Sequence, residues 1–425
     1  MSFQQGLSGL NATSKSLDII GNNIANANTY GAKVSRAEFS DMYATALNGA
    51  GTNSIGIGAN LAVVAQQFSQ GTISTTGNAM DLAINGAGFF QLTDGINPPS
   101  YSRNGQFKID RDGYIVNNQQ LRLMGYPADS TGVIQPGLAH ALQLPTAGIA
   151  PNRTSEVELE FNLDSRDGVT NPGAGVVPQI DFNDPDTYNN ATSLTVYDAK
   201  GQEVAMTYYF QKTGTDNWNV YLTANGVPVN GTAADPQPLT ATPIQFLADG
   251  SGTVTPVDAL PVSIPGPLTN SEGAEIVTPL DFSLSLAGAT QYGAGFGVTN
   301  LAQNGFSPGQ MTSISIESDG VLMARYSNGQ SKPAGQLELA TFRNPQGLLA
   351  LGGNGWANTY ASGPPVVGVP GEGSMGVLQA GSLEDSNVDL TGELVNMITA
   401  QRIYQANAQT IKTQDQVLQT LVNLR

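Results

Sequence analysis

The C-terminal segment, residues 387–425, constrains the fold most, because a helix of that length cannot bury its own apolar side. The segment contains no proline, and no glycine after Gly392. Its apolar side chains recur at alternating spacings of four and three, interrupted only by Gln401 and Asp415. Such a repeat predicts a long helix with a coiled-coil seam, which needs a partner helix. The seam residues are Leu390, Leu394, Met397, Tyr404, Ala408, Ile411, Leu418 and Val422.

The N-terminal segment, residues 1–30, repeats this spacing and offers that partner. Ser14 and Gly21 occupy the slots of the repeat that lack a large apolar side chain. We therefore expect the two ends of the chain to pack as an antiparallel helix pair. The N-terminal seam residues are Phe3, Leu7, Leu10, Leu17 and Ile24.

The remaining faces of the C-terminal helix carry amides where a solvent-facing helix would carry charges. Amides pack against other amides without the cost of an unpaired buried charge. This pattern favours contacts with further copies of the chain over the alternative, a domain-core helix with one solvated face. The amides are Asn396, Gln405, Gln409, Gln414, Gln416, Gln419 and Asn423.

Composition excludes several classes of function. The 425 residues suffice for two or three domains. A net charge of −17 argues against nucleic acid as a partner. The absence of cysteine excludes disulfides and thiolate metal sites. The sequence has no apolar run near the ~18 residues that span a bilayer, and its first residues lack the pattern of a cleaved signal peptide. Export, if it occurs, is therefore expected to use another route.

Between the terminal helices the apolar period changes to two, which predicts strands. The dipeptides Asn104-Gly105 and Asp112-Gly113 are expected to form hairpin turns. The candidate strands are residues 61–68, 80–84, 89–92, 106–109, 114–116, 121–124, 157–161, 194–197, 204–210 and 218–222.

We expect a mixed, mainly β fold with a nested architecture. The terminal α-helices form a coiled-coil-like inner domain, and two nested β-rich outer domains of sandwich or barrel type lie between them in the sequence. A short helix is predicted at residues 39–43, ahead of a glycine-rich stretch. The expected boundaries are 1–30 for the N-terminal helix, 31–70 for a connector, 71–145 and 284–362 for the two parts of the first β domain, 146–283 for the inserted outer β domain, 363–386 for a linker and 387–425 for the C-terminal helix.

The sequence contains no recognisable catalytic constellation. His140 is the only histidine and has no acidic or serine partner nearby in sequence, which favours a structural role over that of a general base. Asp110 and Asp112 resemble the start of a calcium loop, but Tyr114 occupies a position that needs an oxygen ligand. We expect no enzymatic activity, no cofactor and no metal. A secreted β-rich hydrolase or binding module is the disfavoured alternative.

Both ends of the chain carry a family signature. Residues 21–29, followed by Gly31 and Lys33, resemble the N-terminal signature of the bacterial flagellar rod, hook and hook-associated proteins. Ala32 departs from that family, which usually has an aromatic residue there, and Tyr30 is expected to take its place. The motif residues are Asn22, Asn23, Ile24, Asn26, Asn28, Thr29, Gly31 and Lys33. The matching segments elsewhere are residues 101–107, 386–390, 393–397, 400–402, 404–405 and 407–410.

The resemblance implies a structural subunit that travels unfolded through the flagellar type III export apparatus, without signal cleavage, and polymerises outside the cell. The terminal helices would form the inner wall of a tube and the β domains its outer layers. The size of the inserted domain favours a hook-type subunit, whose short curved tube acts as a universal joint, over a distal rod subunit of the basal body. The expected partners are further copies of the chain, rod and hook–filament junction proteins, and the hook cap and export apparatus during assembly. Nucleic acid and small-molecule substrates are not expected.

Overall fold

The computed structural model describes residues 2–43, 56–129, 131–145, 147–173, 176–255, 259–270 and 273–423. The chain divides into two compact units. The terminal unit comprises Met1–Thr146, Ser313–Arg325 and Ser331–Arg425. The inserted unit comprises Ala147–Thr312 and Tyr326–Gln330.

The helices of the described residues are α1 (Ser2–Ala25) and α2 (Leu390–Asn423), with short 3-10 turns at Pro185–Thr187 and Pro345–Gly347. The strands before the inserted unit are β1 (Ser35–Tyr43), β2 (Gly56–Gln66), β3 (Ile73–Thr75), β4 (Leu82–Asn85), β5 (Phe89–Thr93), β6 (Ser100–Ser102), β7 (Lys108–Ile109), β8 (Ile115–Val116), β9 (Arg122–Pro127) and β10 (His140–Ala141). They are followed by β11 (Glu156–Asp164), β12 (Asn190–Tyr197), β13 (Glu203–Gly214), β14 (Asn217–Ala224), β15 (Val227–Pro228), β16 (Gly231–Thr232), β17 (Asp235–Pro236), β18 (Ile244–Phe246), β19 (Thr253–Thr255), β20 (Leu260–Ile264), β21 (Leu280–Ser285), β22 (Thr290–Tyr292) and β23 (Gly297–Gln303). The last strands are β24 (Met311–Ile316), β25 (Val321–Tyr326), β26 (Ser331–Leu337), β27 (Leu339–Thr341), β28 (Leu349–Gly352), β29 (Gly355–Ala357), β30 (Val366–Gly368), β31 (Val377–Ala380) and β32 (Ser382–Glu384).

The terminal helices form where the spacing predicted them. Helix α1 ends at Ala25, close to the predicted end, in a run of turn-forming residues. Gly31 then adopts a φ of +70°, which a residue with a side chain rarely tolerates. Helix α2 begins at Leu390, and Asp389 caps it by accepting a hydrogen bond from Thr391 N at 3.0 Å. No helix in the described ranges combines the length and the apolar character needed to cross a membrane.

Residues 35–66 form a hairpin where we predicted a connector and a short helix. Strands β1 and β2 pair antiparallel from Ser35 and Gln66 at the open end. The hairpin also lies against α1, because Ser8 Oγ accepts a hydrogen bond from Ala59 N at 2.9 Å and donates one to Ala59 O at 2.6 Å. The prediction of a helix at 39–43 is wrong because this long-range pairing outweighs local preference. The glycine-rich stretch before Gly56 lies outside the described residues.

The first β domain is a large sheet in the terminal unit. Its main path runs β24-β25-β26-β9-β5-β6-β29-β28. The predicted turn at Asp112-Gly113 is confirmed, since β7 pairs with β8 and Gly113 has a φ of +86°. The predicted turn at Asn104-Gly105 is wrong. The flanking strands do not pair with each other, since β6 pairs with β5 and β29 while β7 pairs with β8. Gly105 O instead accepts a hydrogen bond from Leu82 N at 3.0 Å.

The segment predicted as a linker, 363–386, also contributes strands. β30 pairs with β27, β31 with β4 and β32 with β3. Glycine and proline suggested a flexible link, but the backbone groups of this segment are used in sheet pairing. The segment that precedes the C-terminal helix is therefore held by strand pairing at three places.

The inserted unit is a sandwich of two sheets. One sheet runs β20-β21-β11-β22 with β23 on β11, and the other runs β12-β13-β14-β18-β19 with β15 on β14. Alternate residues of β11 and β13 are buried, as facing sheets require. The largest fully buried side chains of its core are Phe161, Tyr208, Phe210 and Trp218.

The C-terminal boundary predicted for this domain, residue 283, falls inside β21. Beyond it, β22 pairs with one end of β11, and β23 pairs with β11 from Val157 to Asn162. The unit therefore extends to Thr312. The sequence could not show this, because the strands on both sides of residue 283 have the same alternating pattern.

We predict that a fragment of residues 147–312 unfolds cooperatively on its own, whereas a fragment of 147–283 does not. The shorter fragment lacks β22 and β23, so that β11 loses pairing along its length and the core opens. Thermal unfolding followed by the fluorescence of Trp218, the only tryptophan in either fragment, measures both. Equal, cooperative melting of the two fragments would refute the boundary at Thr312.

Candidate assembly site

The two terminal helices pack against each other as an antiparallel pair, as the spacing predicted. A methyl group at Gly6 would lie 3.1 Å from Ile411 Cγ1, and one at Gly9 would lie 2.8 Å from Asn407 Nδ2. At the other end of α1, the side-chain amide of Asn23 donates to the Glu393 carboxylate at 3.3 Å. The glycines thus let the two backbones approach closely.

The line of contact on α1 runs one residue before the predicted seam. Its buried members are Gly6, Thr13, Ile20 and Asn23, while Leu7, Leu10, Leu17 and Ile24 lie beside them. On α2, buried Ala400 and half-buried Asn407 likewise precede the predicted positions 401 and 408. Small and polar residues make the close contact, and the larger apolar side chains flank it.

The seam residues therefore have different environments. Ile411 reaches the contact line against Gly6. Leu7, Leu390, Leu394, Tyr404 and Leu418 are exposed, whereas Leu10, Leu17, Ile24, Met397, Ala408 and Ile411 are half-buried. The side chains of Phe3 and Val422 lie outside the described part of the structure.

Leu418 is exposed because α1 is too short to cover it. Ile411 lies against Gly6, and Leu418 is two helical turns further along α2. The antiparallel partner position would lie before the first residue of α1, Ser2. The last turns of α2 thus extend past the end of α1, and α1 does not cover them.

Further apolar side chains are exposed on the outer side of α2 and on the hairpin. Val395 is 58% exposed and Ile398 52%. At about 3.6 residues per turn, both lie roughly opposite the contact residue Ala400. We call the following residues the exposed apolar set: Leu7, Phe39, Met42, Val63, Val64, Leu390, Leu394, Val395, Ile398, Ile403, Tyr404, Val417 and Leu418. Exposed apolar side chains concentrated in this way mark interaction surfaces.

The N-terminal motif residues connect α1 to the hairpin. Asn23 is buried, accepts a hydrogen bond from Ser35 N at 2.9 Å and donates one to Ser35 O at 2.8 Å. Asn26 donates to Asn22 O at 2.9 Å. Asn22 and Asn28 are exposed, and Ile24 and Thr29 are half-buried. The buried asparagine thus fixes where β1 starts relative to the end of α1.

The loop between α1 and β1 is packed against the β domain by its backbone. Gly31 N donates to Glu384 O at 2.8 Å, and a methyl group at Gly31 would lie 2.6 Å from Asn104 N. Ala32 is buried, and the carbonyl of half-buried Tyr30 accepts a hydrogen bond from Asn354 Nδ2 at 2.9 Å. The glycine is required by both its φ and this close approach.

A buried ion cluster lies at the same junction. Lys33 Nζ is 2.6 Å from Glu384 Oε1 and donates to Ser69 O at 2.7 Å. Arg103 Nη1 is 3.2 Å from Glu384 Oε2, and Arg103 Nη2 donates to Gly86 O at 2.9 Å. Burial lowers the pKa of both Lys33 and Arg103, and the Glu384 carboxylate opposes that shift. One carboxylate thus holds two cations that are shielded from water.

Asn387 closes the junction from the C-terminal side. Its Oδ1 accepts a hydrogen bond from Val34 N at 2.7 Å. Its Nδ2 donates to Gln67 O at 2.8 Å and to Ser69 Oγ at 2.9 Å. Together with the ion cluster, this residue ties both ends of the hairpin to the segment that enters α2.

Sequence reasoning identified some of these residues but not their contacts. Lys33 was part of the motif, and Arg103 and Asn387 fell in segments carrying the family resemblance. Glu384 was missed, although it is the residue that joins the two cations. The sequence around Glu384 gave no signal of this role. The structure shows it, because Glu384 is an acidic residue in a short strand whose residues are all buried.

The groups considered for chemistry have structural environments. His140 is exposed on β10. Asp110 Oδ1 accepts hydrogen bonds from Asp112 N at 2.9 Å and Tyr114 N at 2.8 Å, which holds the β7–β8 turn. Within the described ranges, acidic and histidine side chains form no cluster suited to a metal ion.

Four family models match successive parts of the chain. "Flagella basal body rod protein" matches residues 3–33, and "Flagellar hook protein FlgE/F/G D1 domain" matches residues 83–202. "Flagellar basal body protein FlaE D2 domain" matches residues 162–306, which agrees with an inserted unit that continues past residue 283. "Flagellar basal body rod FlgEFG protein C-terminal" matches residues 379–424.

Whole-chain comparison gives the same family throughout. The chain is 43% identical over 429 residues to the flagellar hook protein FlgE of Escherichia coli, covering 100% of both chains. It is 42% identical over 432 residues to FlgE of Salmonella typhimurium, again covering 100% of both. The crystal structure of Helicobacter pylori flagellar hook protein FlgE2 shares the fold, with a TM-score of 0.53 and 14% identity over 73% of this chain and 100% of that one. The chain belongs to the FlgE family of flagellar hook proteins.

Proposed function

We propose that the chain is the subunit of a bacterial flagellar hook, a short curved hollow tube that acts as a universal joint and passes torque from rod to filament. The observation that carries the proposal is full-length similarity to FlgE proteins across both terminal segments and the inserted unit. Similarity over the inserted unit favours the hook over the alternative, a distal rod protein. The role is structural rather than enzymatic.

The terminal unit supplies surfaces suited to such a polymer. A helical tube is built from heterologous contacts, in which different surfaces of one subunit meet those of its neighbours. The exposed apolar set lies on several elements, on α1, α2 and the hairpin. In a single subunit these side chains remain in contact with water, which favours burying them between copies.

The junction gives the polymer a fixed frame. The ion cluster and Asn387 hold the hairpin, the β domain and the start of α2 in one arrangement. Because each contact in a tube is repeated in every subunit, a variable junction would weaken all of them together. We infer that the buried junction positions the helix pair for assembly.

We also propose the partners and the location. The hook contacts rod proteins at one end and hook–filament junction proteins at the other, and assembles with the hook cap and the export apparatus. The subunit acts outside the cell, at the flagellum, and is exported without losing an N-terminal signal. In support of the last point, Gly6 and Gly9 contact α2 in the folded subunit, so this segment is part of the structure that assembles.

The function is tested by polymerising the purified full-length chain at increasing concentration and following sedimentation and electron microscopy. We expect hollow tubes above a critical concentration, with growth from added tube fragments. A protein that stays monomeric under every polymerising condition, or that forms only amorphous aggregates, would overturn the proposal.

A further inference from the structure

Three strands of the terminal unit meet in a fork around two polar residues. Strand β5 pairs with β27 through Phe90 and with β9 through Leu92. Strand β26 pairs with β9 as far as Leu337. Gln91 lies between the two pairings of β5, and Glu338 lies between β26 and β27. The antiparallel register therefore places Glu338 across from Gln91, where the two partner strands of β5 diverge.

Both side chains are buried, and each has one oxygen without a partner. Glu338 is 3% exposed, and its Oε1 accepts a hydrogen bond from the Tyr126 hydroxyl at 3.0 Å. Gln91 is 7% exposed, and its Nε2 donates to Met124 Sδ at 3.3 Å. Among the described residues, neither Glu338 Oε2 nor Gln91 Oε1 has a hydrogen-bond partner, and both atoms are shielded from water. The fork thus contains two unsatisfied acceptors and lacks a donor.

The groups around Glu338 do not supply a positive charge. Strand β9 contributes the Tyr126 hydroxyl, and β6 contributes the phenol of Tyr101. The further charge acting on Tyr126 is Glu372, which is also acidic. Arg103, which follows the end of β6, is paired with a different carboxylate, Glu384, in the ion cluster. A buried carboxylate that accepts one neutral hydrogen bond and has no cation to pair with is costly.

A single proton resolves these deficits. A protonated carboxyl carries no charge and presents an O–H donor. A protonated Oε2 would supply the donor that the fork lacks, and the register places Gln91, whose Oε1 needs a donor, across from Glu338. We propose that Glu338 is a proton-linked clamp: the protonated carboxyl holds the β5–β9–β27 fork together, and loss of the proton loosens it.

The direction of the pH dependence follows from the burial. Burial raises the pKa of the Glu338 carboxyl, and the hydrogen bond from Tyr126 opposes that shift only in part. The same surroundings raise the pKa of Tyr126 to about 12. The stability contributed by the clamp is therefore complete below the ordinary Glu pKa of about 4.3 and is lost as pH rises through the folded-state value.

The test compares full-length wild type with Glu338→Gln, which mimics the protonated carboxyl. The two tryptophans of the chain fall in different units, Trp356 in the terminal unit and Trp218 in the inserted one. Labelling with fluorotryptophan therefore gives a separate fluorine NMR signal for each unit during urea unfolding from pH 4 to pH 8. We expect the unfolding constant of wild type to rise relative to the variant by up to tenfold per pH unit above about pH 4.3, until Glu338 is fully ionised.

The matched control is Glu317→Gln, which changes an exposed carboxyl beside the same sheet. Its unfolding constant is expected to change with pH in parallel with that of wild type. Parallel curves for wild type and Glu338→Gln across the whole range would overturn the proposal. Tyr126→Phe removes the hydrogen bond to the ionised Glu338 carboxylate. It is expected to move the pH range over which the clamp's stability is lost to higher pH. If Glu338→Gln fails to fold, carbon-13 NMR of carboxyl-labelled glutamate in wild type decides. The clamp requires a glutamate that titrates above the others, and titration of all glutamates at or below about 4.3 would exclude it.

Discussion

Glu384→Gln is expected to lower the free energy of unfolding of the terminal unit by about 3–5 kcal/mol, the usual cost of breaking a buried ion pair. The substitution keeps the shape of the side chain but removes the charge shared by Lys33 Nζ and Arg103 Nη1. Two cations then remain buried without a carboxylate. Urea unfolding followed by the Trp356 signal measures the loss.

The control for this prediction is the adjacent Asp385→Asn. Asp385 is half-buried, and its side chain accepts one hydrogen bond, from Ser74 Oγ at 3.2 Å. We expect it to cost under about 1 kcal/mol, because the asparagine oxygen can still accept this hydrogen bond and no buried cation loses its partner. A Glu384→Gln protein as stable as the Asp385→Asn protein would show that the ion cluster is not what holds the junction.

Val395→Lys is expected to abolish tube formation while leaving the subunit folded. In the subunit Val395 is 58% exposed on the side of α2 away from α1, so a lysine there is solvated and tolerated. Between copies the same position would be dry. The loss of roughly 1.5–3 kcal/mol of apolar burial, with the added cost of the buried ammonium, raises the critical concentration by orders of magnitude. Sedimentation at a series of protein concentrations measures that change.

Val227→Lys is the matched control, because it makes the same change at a valine that is 53% exposed in the inserted unit. We expect this variant to form tubes at close to the wild-type concentration. The interpretation fails if Val395→Lys assembles normally, or if both variants lose assembly to the same extent.

The terminal helices were predictable because their apolar spacing is long and regular. The spacing also gave the antiparallel pairing, but it misplaced the contact line by one residue. Pattern reading selects the largest apolar side chains, such as Leu7 and Leu394, for the buried seam. In the structure Gly6, Gly9 and Ala400 make that contact, and Leu7 and Leu394 remain exposed. The apolar spacing therefore includes side chains, such as Leu7 and Leu394, that are not buried within a single subunit.

The hairpin and the junction could not be read from local sequence. Strand β1 owes its form to pairing with β2 and to the contact of Ala59 with Ser8 on α1. The ion pair of Lys33 with Glu384 joins residues 351 positions apart. Neither kind of contact leaves a periodic signal. The mainly β fold was predictable because alternation is local, but the boundary at Thr312 depends on which strands pair with β11.

The central claim is that the exposed apolar set forms the contacts between copies. Carbene or hydroxyl-radical footprinting of monomer and tube, read by mass spectrometry, tests it most directly. We expect Leu394, Val395 and Ile398 to lose most of their labelling in the tube, while Val227 keeps most of its own. Tubes in which these three α2 residues are labelled as strongly as in the monomer would contradict the claim.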